Sequence, residues 1–102
     1  MVVARLTFAK TKPGTSTDKI RNMWDESVIP AAMTQKGFCG GFLLSLGEEG
    51  IAVSLWESKA DAEAGEKSGY YQEQVKKIAP MFAAPPERKL YNVNSKIIVV
   101  KE

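Results

Sequence analysis

Hydrophobic residues recur at every second position in several short segments of the chain, and this period of two predicts β-strands, whose side chains point alternately to opposite faces. In the intervening segments the apolar residues recur at spacings of three and four, which predicts amphipathic helices. The pattern therefore predicts strands at 2–9, 38–46, 51–56 and 87–93, and helices at 17–36 and 58–82.

Turn and capping residues indicate where the first helix begins and ends. Pro13-Gly14 is a turn signal, and the hydroxyl of Ser16 or Thr17 can accept a hydrogen bond from the free amides of a first helical turn. Pro30 lacks an amide hydrogen, so we expect a kink or a restarted turn there. The helix is then expected to stop at Gly37.

Similar signals punctuate the rest of the chain. The adjacent glycines Gly40-Gly41 predict a bulge or a bend in the second strand. Ser58 with Asp61 three residues later resembles a capping box and predicts the start of the second helical region. Gly65 and Gly69 are expected to weaken that region.

The order strand, helix, strand, strand, helix, strand is typical of a ferredoxin-like α+β fold, in which an antiparallel sheet carries its helices on one face. A chain of 102 residues is suited to one domain. We therefore expect a single domain over 1–102, with its core at 2–93 and an apolar tail strand at 96–102 that contains Ile97–Val100 and can add to the edge of a partner's sheet.

The first three strands have two unlike faces. Large apolar side chains occupy one face: Val2, Leu6, Phe8, Phe42, Leu44, Leu46, Ile51, Val53 and Leu55. The other face is spotted with polar groups: Arg5, Thr7, Ser45, Ser54 and Trp56. Two helical regions normally cover one side of a sheet, so one face needs another cover. A symmetric homodimer packed sheet to sheet is the simplest solution.

Composition and charge remove several function classes. The chain has no histidine, one cysteine and 14 basic against 12 acidic residues, for a net charge of +2. Scattered lysines and this small charge weigh against nucleic acid as a partner, and no apolar run approaches the roughly 20 residues that cross a bilayer. We expect a cytoplasmic protein without a metal site or a membrane partner. Cys39, with no histidine to deprotonate it, is expected to be a buried hydrophobe and not a nucleophile.

The polar-spotted face is the candidate site, because it combines an apolar floor with a few hydrogen-bonding groups. A buried Arg5 needs either a carboxylate such as Glu57 or a ligand anion, and pairing is the favoured interpretation. Trp56 fits a pocket wall and a core position equally well, whereas Trp24 fits the core better. The predicted catalytic residues are Arg5, Thr7 and Trp56, and the predicted pocket residues are Met23, Trp24, Ser54, Tyr71 and Phe82.

Three segments carry a resemblance to a known family. These are Pro13-Gly14-Thr15, Gly37-Phe38-Cys39-Gly40-Gly41-Phe42, and Leu55-Trp56-Glu57-Ser58-Lys59 followed by Ala60 and Ser68. Over about residues 2–93 the chain resembles the antibiotic-biosynthesis-monooxygenase domain family, whose members are dimeric α/β barrels. The resemblance implies that Trp56 corresponds to a strand-three tryptophan that lines the pocket.

The resemblance also bears on cofactors. In the haem-degrading branch of the family a helix-two histidine holds the iron, and that position corresponds to Val75 here, while a strand-one asparagine corresponds to Thr7. Haem degradation is therefore not expected of a chain without an axial histidine. Other members oxidise aromatic polyketides or small quinols without a cofactor.

Two functions remain open. The first is a cofactor-independent monooxygenase for a small electron-rich aromatic of the phenol, quinol or anthrone type, with no cofactor. Such a substrate reduces oxygen itself, so the protein supplies a dry pocket, orientation and a hydrogen bond to the oxyanion. The second is a non-catalytic or stress-related dimer that binds a small ligand, which the shortage of acid–base residues favours. The sequence leaves open whether the protein is an enzyme.

Overall fold

The computed structural model, which describes residues 1–99 and 101, is an α+β fold. Its strands are β1 (Val3–Lys10), β2 (Phe38–Leu46), β3 (Glu49–Trp56) and β4 (Glu87–Asn92), and its helices are α1 (Thr17–Met23), α2 (Ile29–Met33), α3 (Lys59–Lys67) and α4 (Tyr70–Ile78). The strands form one antiparallel sheet in the order β2-β3-β1-β4. The predicted ferredoxin-like class is confirmed.

The first helical region begins and breaks where its sequence predicts. Ser16 caps α1 and accepts a hydrogen bond from the Lys19 amide at 3.4 Å. Before Pro30 the chain forms a π-helical segment at Trp24–Val28, in which the Ile29 amide donates to the Trp24 carbonyl. The wider turn accommodates a proline that cannot donate to the preceding turn. The region ends at Met33, four residues before the predicted stop at Gly37, and a turn connects it to β2.

The β2–β3 hairpin contains the predicted irregularity, and it changes which side chains face the helices. Phe38 pairs with Trp56 and Gly40 pairs with Leu55, so Cys39 is the extra residue of a bulge. The extra residue inverts the alternation on its N-terminal side. Phe38 therefore lies on the face of Trp56 and not on that of Phe42. The expected burial of Cys39 is wrong, since Cys39 is exposed.

The second helical region consists of two short helices. Ser58 caps α3 through a hydrogen bond from the Asp61 amide at 3.1 Å, as the sequence predicts. Gly69 breaks the region with a φ of 86° and precedes α4. A 3₁₀ turn at Ala79–Met81 follows α4 and leads Phe82 into a bridge with Thr11.

Trp56 is the centre of the hydrophobic core. Its side chain has 0% exposure and packs with Val3 and Ala62. Phe38 and Tyr70 contact the indole edge-on, with ring centroids at 5.5 and 6.4 Å. Small residues on α3 let the helix approach this large ring, because a Cβ added at Gly65 would lie 3.3 Å from it. The Trp56 side chain thus joins the end of the sheet to α3 and α4.

The structure shows which face of the sheet meets the helices, a point that the pattern of the strands leaves open. Arg5 and Thr7 of β1 bond to residues of α3 and α4, so the polar-spotted face is the one that meets the helices. On the opposite face Leu6 pairs with Val53, and Phe8 pairs with Ile51. Phe42 and Leu44 of β2 pair with the same two β3 residues and extend this apolar face. No helix of the described residues packs on that apolar face, and Phe42 and Leu44 are each 48% exposed.

The C-terminal tail does not form the predicted strand within a single chain. Residues 93–99 and 101 have no regular structure, and Val100 and Glu102 lie outside the described residues. The side chains of Ile97, Ile98 and Val99 are exposed. A strand needs a neighbouring edge to satisfy its amides, and this chain brings none to the tail. The addition of the tail to a partner's sheet stays a prediction.

Membrane insertion through a helix finds no support among the described residues, where every helix is too short or too polar to cross a bilayer.

Gly37→Ala is expected to be more destabilising than Gly14→Ala. Its φ is 83°, and an added Cβ would overlap the Asp61 side chain. Gly14 has a similar φ of 81° with nothing within 4 Å of its Cβ position. Gly14→Ala should therefore lower the free energy of unfolding only by the cost of a left-handed backbone at alanine, about 1–2 kcal/mol. Gly37→Ala should lower it by more. Urea unfolding of both variants measures the difference, and equal losses would contradict the role assigned to Asp61.

Candidate functional site

A cavity with a volume of about 340 Å³ lies between the sheet and the helices. Its walls are predominantly apolar, with Ile20, Trp24, Val28, Leu43, Val75, Ile78 and Phe82 among the lining residues. The exposed side chains of Arg21, Glu48 and Glu49 also border it and mark its rim. An apolar pocket of this size with a few polar groups has the usual make-up of a site for a small organic molecule.

A pair of hydroxyl groups provides one polar point in this cavity. The Thr7 Oγ1 and Tyr71 Oη atoms lie 3.1 Å apart, and either can be the donor. Thr7 projects from the middle of β1, and Tyr71 from the first turn of α4. When one hydroxyl donates to the other, the accepting hydroxyl keeps its own proton. The pair can therefore donate one hydrogen bond to a ligand oxygen.

Arg5 also lines the cavity and is hydrogen-bonded to α3. The side chain has 2% exposure, its Nε atom donates to Glu66 Oε1 at 2.9 Å, and its Nη2 atom donates to the Ala62 carbonyl at 2.7 Å. A buried guanidinium is stable only with such partners. The prediction that Arg5 pairs with a carboxylate is correct in kind, but Glu57 is the wrong partner, because it is exposed after the end of β3.

Two guanidinium groups hold the Tyr71 ring. The Arg5 Cζ atom lies 4.6 Å from the ring centroid, and the Arg88 Cζ atom lies 5.2 Å from it. Arg88 also donates to Glu66 Oε1 at 3.2 Å, so one carboxylate compensates both cations. The cation–π contacts restrain the ring and with it the position of the Tyr71 hydroxyl. Arg5 thus acts on the cavity mainly through Tyr71.

Trp56, predicted to be a catalytic residue, is not among the residues that line the cavity, and its side chain has 0% exposure. The indole is covered by α3, because Ala62 and Gly65 leave room for it there. Its Nε1 atom donates to Ser54 Oγ at 2.9 Å. Ser54 itself lines the cavity, so Trp56 supports the site through that hydroxyl. Of the two interpretations left open by the sequence, the structure shows the core position.

The other predicted pocket residues fall into two groups. Trp24, Ser54, Tyr71 and Phe82 line the cavity together with Arg5 and Thr7. Met23 does not line it: this half-buried residue ends α1, and its neighbour Trp24 occupies the wall instead. Trp24 was expected in the core, and its position in the cavity wall follows from the unfilled space between the helices and the sheet.

Two residues that the sequence did not indicate belong to the site. Glu66 pairs with Arg5, and Gln74 is buried in the cavity wall. A signal was present for each. Glu66 follows Ala62 by one helical turn on the face with small residues, and Gln74 lies one turn after Tyr70 and Tyr71 on the apolar stripe of α4.

The two groups with perturbed acidity are poor bases. Burial, opposed by the positive charge of Arg5, raises the pKa of the Tyr70 hydroxyl above its usual value. Partial burial and the nearby carboxylate of Glu57 raise the pKa of the Cys39 thiol. Both groups therefore stay protonated near neutral pH, and Cys39 has little thiolate character with which to act as a nucleophile.

Metal ligation finds no geometric support within residues 1–99 and 101, where no three His, Cys, Asp or Glu side chains are grouped to hold an ion.

No protein-family model and no curated protein sequence matches the chain. Solved structures do match it in fold. Rv0793 from Mycobacterium tuberculosis is 14% identical with a TM-score of 0.72, and the match covers 94% of this chain and 98% of that one. SnoaB, a cofactor-independent oxygenase from Streptomyces nogalater, is 10% identical with a TM-score of 0.71, covering 94% and 95%.

A candidate antibiotic biosynthesis monooxygenase from Bordetella bronchiseptica is 19% identical, with a TM-score of 0.68 and coverage of 95% of this chain and 98% of that one. The resemblance predicted from the sequence is thus confirmed at the level of the fold. A shared fold at this identity does not by itself assign an activity, which has to be argued from the site.

The Arg5–Glu66 pair is expected to dominate the stability of the site. Arg5→Met removes the hydrogen bonds to Glu66 and the Ala62 carbonyl, while Glu66 keeps Arg88, and should lower the free energy of unfolding by about 1–3 kcal/mol. Glu66→Gln leaves the buried Arg5 cation without a counter-charge and should lower it by about 3–5 kcal/mol. Arg21→Met is the control, because the Arg21–Asp18 pair at 2.9 Å is exposed and should contribute under about 1 kcal/mol. Chemical denaturation compares the three, and similar losses for Arg5→Met and Arg21→Met would contradict this account.

Proposed function

We propose that this protein is a cofactor-independent monooxygenase that acts on a small electron-rich aromatic of the phenol, quinol or anthrone type. The observation that carries the proposal is the Thr7–Tyr71 hydroxyl pair at 3.1 Å in the wall of an otherwise apolar cavity. A fold shared with a cofactor-independent oxygenase from Streptomyces nogalater is consistent with this function.

The chemistry asks little of the protein beyond this arrangement. An anthrone-type substrate loses a proton to become an enolate, which transfers an electron to molecular oxygen, and the two radicals combine to form a carbon–oxygen bond. Loss of water then converts the CH₂ group to a carbonyl, so each turnover consumes one oxygen molecule and releases one water. The substrate supplies the electrons, and the protein supplies orientation and stabilisation of negative charge.

The cavity residues have distinct roles in this reaction. The Thr7–Tyr71 pair donates to the enolate oxygen, whose charge grows as the proton leaves. Trp24 and Phe82 provide flat walls against which an aromatic ring stacks. The proton departs through water toward the rim, where Glu48 and Glu49 border the cavity. Arg5 is a positioning residue, since its hydrogen bonds are directed to α3 while its guanidinium holds the Tyr71 ring.

A second candidate function is a non-catalytic dimer that binds a similar small molecule. One observation favours it: the Glu66 carboxylate, which pairs with the two guanidinium groups on the Tyr71 ring, compensates both Arg5 and Arg88 and is not free to act as a base. Catalysis then depends on the acidity of the substrate itself. Turnover therefore separates the two functions.

The assembly we propose is a homodimer through the apolar sheet face. Phe42, Leu44 and Leu46 on β2 are 48, 48 and 77% exposed, and they continue the apolar rows of β1 and β3. A patch of this kind is unusual on a monomer and is removed from water when a second copy packs on it. The exposed tail residues Ile97–Val99 would add to the partner's sheet in the same assembly.

Oxygen uptake is the expected signature of the enzyme. With anthrone or 1,4-dihydroxynaphthalene and no added metal or flavin, the protein should consume oxygen faster than the buffer. Tyr71→Phe and Thr7→Val should each lower kcat by about 10-fold or more, because each breaks the hydroxyl pair that donates to the oxyanion. Tyr91→Phe is the matched control, since Tyr91 pairs with Ala4 of β1 on the opposite face of the sheet. Uptake equal to the buffer rate for every substrate would favour the binding protein.

A stable dimer is expected at micromolar concentration. Leu44→Glu places a charge in the centre of the apolar face and should shift the sedimentation coefficient to that of a monomer. Gln72→Glu introduces the same side chain at an exposed position of α4 and should leave the dimer intact. A wild-type monomer in this experiment would refute the proposed assembly.

A further inference from the structure

Gln74 is the most buried polar residue in the cavity after Arg5. It has 8% exposure and projects from α4, one helical turn after Tyr71. Its amide has two ends, an oxygen that accepts hydrogen bonds and a nitrogen that donates two. Which end faces the cavity decides what kind of ligand atom the side chain can bind.

A chain of hydrogen bonds fixes that choice. The Lys77 Nζ atom lies 3.0 Å from Ser27 Oγ, and Ser27 Oγ lies 2.9 Å from Gln74 Oε1. An ammonium group only donates, so the Ser27 oxygen accepts from Lys77 and its own proton is directed to Gln74. The Gln74 oxygen is thereby engaged with Ser27, and the NH₂ group is the end that remains for the cavity.

The backbone around Ser27 supports a functional reason for this chain. Ser27 belongs to the π-helical segment Trp24–Val28, whose wider turn sets the directions of its side chains. Single π turns inside α-helices are frequent at functional sites. In the same segment Trp24 and Val28 line the cavity, so the irregular turn provides both cavity wall and the hydroxyl that orients Gln74.

We propose that the Gln74 amide nitrogen recognises a carbonyl oxygen of the ligand, and so selects aromatic ketones over the corresponding hydrocarbons. This inference rests on the proposed function only in that the cavity binds an aromatic molecule. Side chains three positions apart on a helix are neighbours, so Tyr71 and Gln74 present two donors along one wall. A ligand with two oxygens, one at the hydroxyl pair and one at Gln74, fits this arrangement. Ser27 and Lys77 are positioning residues.

The test compares two rigid probes that differ by one carbonyl group, 9-fluorenone and fluorene, in equilibrium dialysis with the full chain. Wild type should bind fluorenone more tightly. Gln74→Met keeps the length of the side chain and removes its amide, so it should weaken fluorenone binding by about 3- to 10-fold and leave fluorene binding unchanged. Ser27→Ala keeps the amide without its orienting bond and should give a smaller loss in the same direction.

Gln72→Met is the matched control, because it makes the same exchange at an exposed position of the same helix and should change neither affinity. Equal losses of both probes in Gln74→Met would overturn the inference, since they would show that Gln74 only shapes the cavity. Unchanged fluorenone binding in Gln74→Met would overturn it as well, since it would show that the carbonyl binds elsewhere, as at the Thr7–Tyr71 pair. If wild type binds neither probe, the cavity does not bind aromatic molecules and the proposed function fails as well. Binding of fluorenone without oxygen uptake from any substrate would overturn the monooxygenase and leave the role of Gln74 intact.

Discussion

The burial of a guanidinium group in the middle of the sheet is the constraint on which the rest of the site depends. Arg5 has no access to bulk water, so α3 has to present an acceptor and a counter-charge at that point, which it does through the Ala62 carbonyl and Glu66. This requirement fixes the distance between α3 and β1. The Arg5 guanidinium also lies against the Tyr71 ring, and this contact holds the first turn of α4 against the sheet.

On the face of the sheet that the helices cover, the size of the side chains decides where the interior is filled and where a cavity remains. At the end with Trp56, the small residues Ala62 and Gly65 let α3 approach closely, and the interior is filled. Beside this core, Thr7, Leu43 and Ser54 on the same face of the sheet line the cavity together with Arg5 and Tyr71. Core and pocket are thus neighbouring parts of one interface between the sheet and the helices.

The parts of this structure that depend on neighbouring residues were predictable from the sequence, and the parts that depend on distant residues were not. The caps at Ser16 and Ser58, the break before Pro30 and the two faces of the sheet all follow from local patterns. The sequence indicated a bulge near Gly40, but not the inversion of Phe38 that a single extra residue produces. The partner of Arg5 lies 61 positions away in the chain, and periodicity carries no information on such a pairing. Trp56 was ambiguous for the same reason, because only the packing of α3 decides whether an indole meets a ligand or a helix.

The π-helical segment has a consequence for how this chain can vary in length. A turn in which Ile29 donates to Trp24 holds one residue more than the regular helix needs. Loss of a single codon between Trp24 and Ser27 would restore ordinary helical winding, but it would leave these two residues two positions apart and about 200° from each other around the helix axis. The segment could then no longer provide both the cavity wall at Trp24 and the hydroxyl that orients Gln74. The length of this loop-free stretch is therefore under a tighter constraint than the identity of most of its residues.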